Sequence, residues 1–194
     1  LLMRFYDVTG GSISVDGTPI TDVSRHALRG SYGMVLQDTW IKHGTVRDNI
    51  CIGKPDSSDE DVIQAAKMSH SWEFIRRLPN GLDTILYEDS LSQGQKQRIL
   101  IARAVYKNPD YIFLDEATNS LDASNEKAIV ENLDKFYSGR TVVIVAHRLS
   151  TVRNADRIIA INNGMVAEAG SHDELIAKRG VYYNLVKNQL ELGN

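Results

Sequence analysis

Two adjacent carboxylates, Asp115 and Glu116, close the apolar run Tyr111-Ile112-Phe113-Leu114. A short apolar run of this kind reads as a buried strand, and open α/β sheets place ligand-facing groups at the C-terminal ends of their strands. A carboxylate pair at that point suits phosphate hydrolysis, one member holding Mg²⁺ and the other orienting or deprotonating an attacking water. Upstream, Leu91-Ser92-Gln93-Gly94-Gln95 opens an amphipathic segment. Ser92 and Gly94 then fall at a helix N-terminus, where free amides and the helix dipole favour an anion. Downstream come Ser120-Leu121-Asp122 and, after a second apolar run, His147; Gln37 follows the run Gly33-Met34-Val35-Leu36. Each has an ordinary reading alone: an exposed strand end, a capped helix, a polar surface residue, a histidine satisfied by hydrogen bonds. Their order along one chain gives them weight.

The elements that must position these groups follow from periodicity. Ser12 to Val15 alternates polar and apolar and turns at Asp16-Gly17, a strand and hairpin pattern. A short helix is expected over Thr21 to Leu28, then a strand over Gly33 to Leu36. Ser58 with Asp61 forms a capping-box pattern at the start of Asp59 to Met68, and from there to Pro79 the composition stays helical, with Val62, Ile63, Ala65, Ala66, Trp72, Phe74 and Ile75 apolar. Ser92 with Gln95 forms a second such pattern, opening a helix over Gln93 to Lys107 that Asn108-Pro109 stops. Tyr111 to Leu114 and Thr141 to Ala146 are continuous apolar runs, expected as strands buried on both faces of a largely parallel sheet. Between them Ser124 to Tyr137 is helical, with Ile129, Leu133 and Phe136 on one face and Gly139 as the stop. Asn162-Asn163-Gly164 marks a hairpin between Arg157–Ile161 and Met165–Ala169. Ser171 with Glu174 caps one last helix carrying Leu175, Ile176, Tyr182, Leu185 and Val186.

Composition narrows the classes. The 194 residues are 42% hydrophobic with only 4 Pro, which fits one globular domain or most of one. A formal net charge of −3 and the lack of any long Lys/Arg block leave no polyelectrolyte footprint for nucleic acid. The single Cys51 excludes an internal disulfide. No apolar run approaches the ~18 residues of a membrane helix; Ile99 to Val105, the longest candidate, is broken by Arg103. His26, His43, His70 and His172 match no metal-ligand spacing.

On these residues the chain resembles the ATP-binding cassette (ABC) ATPases, and most of all the nucleotide-binding domains of exporters. Leu91 to Asp122 is similar to the signature loop, Walker B strand and D-loop; Tyr32-Gly33-Met34-Val35-Leu36-Gln37-Asp38 to the Q-loop; Val145-Ala146-His147-Arg148 to the switch-histidine loop. Gly44-Thr45-Val46-Arg47-Asp48-Asn49-Ile50 and Ser171-His172-Asp173-Glu174-Leu175 also look like exporters. The resemblance covers essentially the whole chain. It implies an α/β fold: a P-loop-type ATPase core with a mostly parallel sheet, some antiparallel β in the N-terminal part, and an inserted α-helical subdomain over roughly 38–107 that carries the signature loop. It also implies ATP and Mg²⁺ as cofactors. Glu116 would polarise the attacking water and His147 would contact the γ-phosphate. Asp115 and Gln37 would serve Mg²⁺. Ser92, Gly94, Gln95, Gln37 and Asp122 would serve ATP. The implied partners are a second nucleotide-binding domain, in a homo- or heterodimer, and the transmembrane domain of the same transporter, with no nucleic acid. The implied location is the cytoplasmic face of the cell membrane.

The chain departs from the family pattern in four places. A Walker A loop, G-x-x-x-x-G-K-[ST], is absent: the only Gly-Lys pair, Gly53-Lys54, is followed by Pro55 and has Asp48 where the first Gly belongs. The sequence is therefore expected to begin inside the helix that follows that loop, and to be an ABC domain lacking its N-terminal portion. Position 93 is Gln where Gly is commoner. Glu88-Asp89-Ser90-Leu91 lacks Gly and is about two residues short, and Lys42-His43 replaces a Phe-Ser type pair near the expected docking place of a coupling helix. Two other readings stand beside the exporter: a non-transport ABC ATPase, disfavoured by the compact stretch from Asp38 to Leu91 without heptads or Cys clusters, and a catalytically inactive dimerisation or binding fragment.

Overall fold

The computed structural model describes residues 1–54, 58–115, 123–145 and 152–192, with side chains for all of these except 123–127 and 189–192. The chain falls into two compact units, Leu1–Val143 and Ile144–Asn194.

The first unit opens with the hairpin β1 (Ser14–Val15) and β2 (Thr18–Pro19), turned by Asp16 and Gly17, both in the left-handed region at φ 48° and 78°. That pair of positive φ values matches the twist of two antiparallel strands. A 3₁₀ turn over Ile20–Asp22 and helix α1 (Arg25–Gly30) follow. The single helix expected over Thr21 to Leu28 is thus split. Val23 is extended and Ser24 takes the N-cap position, its Oγ accepting from Ala27 N at 3.2 Å. A serine that satisfies an orphan amide starts a helix where it stands. Next come β3 (Tyr32–Val35), β4 (Gly44–Thr45), α2 (Val46–Ile50), α3 (Asp59–Met68), α4 (Trp72–Ile75), β5 (Ile85–Leu86), α5 (Gln93–Lys107), β6 (Tyr111–Asp115), α6 (Ala123–Tyr137) and β7 (Thr141–Val145), whose last two residues already count to the second unit.

Strand β3 pairs parallel with β6, and β7 follows β6 in the sheet. Strands β4 and β5 form a separate antiparallel pair. Nearly every face of α5 is covered: Ile99, Leu100, Ile101, Ala102, Ala104, Val105 and Tyr106 are buried, against α2, α3 and β3. Burial of each large aliphatic there contributes roughly 1.5–3 kcal/mol, so α5 is the pillar of this unit. The stretch Asp59 to Met68 is α3, and the helical composition from there to Pro79 resumes as α4 after a break at Ser69–Ser71. The two buried hydroxyls sit 2.8 Å apart and both donate to Ala66 O, while His70 turns left-handed at φ 54°. Serine side chains compete with amides for helix carbonyls, and here they end the helix. The Ser58 cap keeps one half of its box: Oγ accepts from Asp61 N, but the Asp61 carboxylate accepts from the Ser58 hydroxyl rather than from the Ser58 backbone amide.

Helix α6 buries Ile129, Leu133 and Phe136 on one face, as its periodicity requires. Strand β7 differs from expectation, because Val143 and Val145 are 41% and 53% exposed while the intervening Ile144 is half-buried. A β-branched run dictates extended backbone, but which face is covered depends on neighbours, and β7 ends the described sheet.

The second unit is the hairpin β8 (Ile158–Asn162) and β9 (Met165–Gly170) with α7 (His172–Lys178) and α8 (Val181–Leu192). Asn163 and Gly164, at φ 50° and 75°, make the turn. Ile158, Ala160, Leu175, Tyr182 and Val186 form its core. The last helix is two helices, not one. Arg179 turns left-handed at φ 54°, and Glu168 Oε2 accepts from Tyr182 N at 2.9 Å, capping the start of α8. Among the described residues no helix is long and apolar enough to cross a membrane.

Candidate functional site

Parallel pairing fixes which groups share an edge. The register runs from Tyr32↔Tyr111 to Val35↔Leu114, so the next residue of β6, Asp115, and the segment leaving β3, Leu36-Gln37, emerge at the same C-terminal edge of the sheet. Asp115 is half-buried and Gln37 is exposed. A carboxylate and an amide carbonyl are hard oxygen donors of the kind a divalent cation such as Mg²⁺ accepts.

A second group forms at the start of α5. Ser92 Oγ accepts from Gln95 N at 3.3 Å, and Gln95 Oε1 accepts from Ser92 N at 3.0 Å, the reciprocal box expected from the sequence. This engages the carbonyl of Gln95 with its own helix cap. The first two helical amides, those of Gln93 and Gly94, stand outside the box at the positive end of a fifteen-residue helix. That end carries a partial charge of roughly +0.5, which favours an anion.

The loop after β3 links the two groups. Thr39 Oγ1 donates to Gln93 Oε1 at 2.6 Å. Trp40, 61% exposed, packs with its ring 5.9 Å from the Arg103 guanidinium of α5. Arg103 Nε in turn donates to Asn49 O at 2.8 Å. Burial of Arg103 lowers its pKa to about 10, the direction expected when a cation is taken from water. Asn49, fully buried, donates to Lys42 O at 2.9 Å and Thr45 O at 3.0 Å and accepts from Lys42 N at 2.8 Å. Beside this loop, Ile85 and Tyr87 are exposed, and His43 packs against the Tyr87 ring with centroids 5.0 Å apart. Leu36, Trp40, Ile85 and Tyr87 are exposed large hydrophobic residues.

Of the residues singled out in the sequence, Gln37 and Asp115 share one sheet edge, and Ser92, Gly94 and Gln95 share one helix start. Glu116, Asp122 and His147 lie outside the described residues. Thr39, Asn49 and Arg103 were not anticipated. The only signal for them was Arg103 itself, a cation interrupting an apolar helical run.

A family model described as "ABC transporter" matches residues 1–119. An uncharacterized ABC transporter ATP-binding protein of Bacillus subtilis, YfiC, is 48% identical over 193 residues, which cover 98% of this chain and 32% of that protein. A Staphylococcus aureus protein named "Putative multidrug export ATP-binding/permease protein" is 48% identical over 97% of this chain and 33% of its own length. Among solved structures, a bacterial Atm1-family ABC exporter with ATP bound superimposes with a TM-score of 0.93 at 39% identity, over 97% of this chain and 34% of that one. The chain spans about a third of the length of the curated relatives it matches.

Proposed function

The chain belongs to the ABC transporter family, and from that premise we propose that it is the ATP-binding and hydrolysing domain of an exporter, pairing with a second such domain around ATP to drive export. The observation that carries the reading is the parallel register of β3 and β6, which brings Gln37 and Asp115 to one edge of the sheet.

In this reading Asp115 and Gln37 hold Mg²⁺. When bound, the ion neutralises charge that develops on the phosphate oxygens. Glu116, next in the chain, orients the attacking water and takes its proton. His147 hydrogen-bonds the γ-phosphate. Ser92 and the amides of Gln93 and Gly94 meet the terminal phosphate held by the opposite domain. Gln95 serves mainly to hold Ser92 in place, and Asp122 reaches across the dimer. The exposed rings of His43 and Tyr87, which pack together, take a short helix of the transmembrane domain, whose apolar residues would cover them. Residues 38–107 act as the helical subdomain, and the domain works at the cytoplasmic face of the membrane.

The test is phosphate release by the full-length protein in lipid vesicles. Mg²⁺-dependent hydrolysis that Glu116→Gln removes supports the reading; hydrolysis insensitive to Glu116→Gln sinks it.

A further inference from the structure

Gln93 occupies the first position of α5, beside the amides proposed to meet phosphate, and its side chain is engaged. It accepts from Thr39 Oγ1 at 2.6 Å, a contact that spans 54 positions of sequence. Thr39 stands two residues beyond Gln37. On its other side the loop is fixed: Trp40 lies against Arg103 of α5, Ile41 is buried, and the Lys42 backbone is bound in both directions by Asn49 of α2. Residues 36–38 are therefore a short exposed span between the last β3–β6 pair, Val35↔Leu114, and the Thr39–Gln93 bond. A glycine at position 93 would have no side chain to offer Thr39.

We propose that Gln93 is a positioning residue: its bond to Thr39 makes the Gln37 span and the anion-facing start of α5 shift as one body. The inference rests on the hydrolytic role proposed above. Whatever draws on the Gln37 carbonyl at the sheet edge also sets where the Gln93 and Gly94 amides stand. The two groups then reach productive geometry together. Without the bond each adjusts separately, and the loss falls on the rate of hydrolysis rather than on ATP capture.

The experiment is a double-mutant cycle in the full-length protein in lipid vesicles, with Gln93→Gly, Thr39→Val and both together, and Thr39→Ser as the conservative variant. MgATP is the probe. Each single substitution is expected to lower kcat about 2- to 10-fold with KM for ATP changed less than about twofold, the range set by one net hydrogen bond. The double variant should be no slower than either single, and Thr39→Ser should keep the wild-type rate. Amide hydrogen exchange over residues 36–41, measured without nucleotide, should speed up equally in both singles and no further in the double. Rate effects that multiply in the double variant, or a Thr39→Val variant silent in both rate and exchange, overturn the inference while leaving the proposed function intact. If the wild type shows no Mg²⁺-dependent hydrolysis sensitive to Glu116→Gln, the proposed function falls and this role of Gln93 falls with it.

Discussion

Gly33 of β3 lies directly against Pro109, so closely that a β-carbon on Gly33 would stand 2.6 Å from the proline Cγ. Pro109 stops α5 just before β6, and Gly33 pairs with Ile112 of β6, so one close approach locks the end of the helix to the register of both strands. That register sets where Gln37 and Asp115 stand.

Replacement of Gly33 by Ala is expected to destabilise the domain by about 1–3 kcal/mol, the usual cost of overpacking. Pro109 is buried, and its ring cannot swing aside as a flexible side chain would. Away from such a clash, Gly→Ala would stabilise by roughly 0.4–1 kcal/mol through the unfolded state. Urea unfolding can separate the two. A loss that is largely recovered by adding Pro109→Ala supports the close approach, and a stabilised Gly33→Ala variant refutes it.

A polypeptide of these 194 residues alone is expected to show no ATP turnover. Phosphoryl transfer depends on positioned amide donors and positive charge around the β- and γ-phosphates, and the sequence carries no G-x-x-x-x-G-K-[ST] run to supply them. In the full-length protein, Glu116→Gln keeps shape and hydrogen bonding but cannot accept a proton. It should slow hydrolysis about 10²–10⁴-fold and leave ATP binding nearly unchanged. Asp115→Asn should weaken the Mg²⁺ site instead, raising the Mg²⁺ concentration that hydrolysis needs. In the isolated domain carrying a G-x-x-x-x-G-K-[ST] run, an ATP-induced elution shift to a dimer, present in Glu116→Gln and absent in Asp115→Asn, is the outcome to look for. Mg²⁺-dependent phosphate release by the 194-residue polypeptide would contradict the first expectation.

Much of this was legible because local signals agreed. Ser92 and Gln95 announce a helix start at the spacing the box requires, and Asn108-Pro109 announces its end, so α5 runs from Gln93 to Lys107 as the sequence implies. The Asn163-Gly164 turn is equally local. What could not be read depends on distant partners. That the helical composition beyond Met68 is interrupted by Ser69 and Ser71 follows from their shared acceptor, Ala66 O. Val143 and Val145 read as core until their neighbours are known. Gln37, Ser92, Gly94 and Asp115 were found as motifs, whereas Thr39 and Asn49 act through contacts that no spacing rule encodes.

Asn49→Ala should cost about 2–4 kcal/mol. The substitution takes the partner from the Lys42 amide and carbonyl and leaves Thr45 O only its place as N-cap carbonyl, and a polar group left unsatisfied costs about 1–3 kcal/mol where water cannot replace the partner. Removal of the nearby N-cap, Thr45→Ala, should cost only about 1 kcal/mol. Denaturant midpoints at constant m value give the comparison. Asn49→Ala losing no more than Thr45→Ala would mean that the buried amide does not hold the 42–45 turn.

The cap of α2 should carry a pH signature. Asp48 Oδ2 accepts from Thr45 N at 2.9 Å while Thr45 Oγ1 accepts from Asp48 N at 3.0 Å. The Thr45 backbone amide, first, and the Thr45 hydroxyl, second, hold the Asp48 carboxyl below its ordinary value. A carboxylate whose pKa is depressed on folding stabilises the fold at pH values above its unfolded pKa, about 3.9. That contribution disappears as pH falls through the lower, folded value. Asp48→Asn keeps an acceptor for the Thr45 amide but loses the charge at the helix start. Since Asp48 is exposed and screened, wild type should exceed the variant by about 1 kcal/mol or less near neutral pH. The gap should close progressively below about pH 4. Urea titrations of both proteins between about pH 3 and 7 give the curve, and a gap constant across that range would show that the charge of Asp48 adds nothing to the cap.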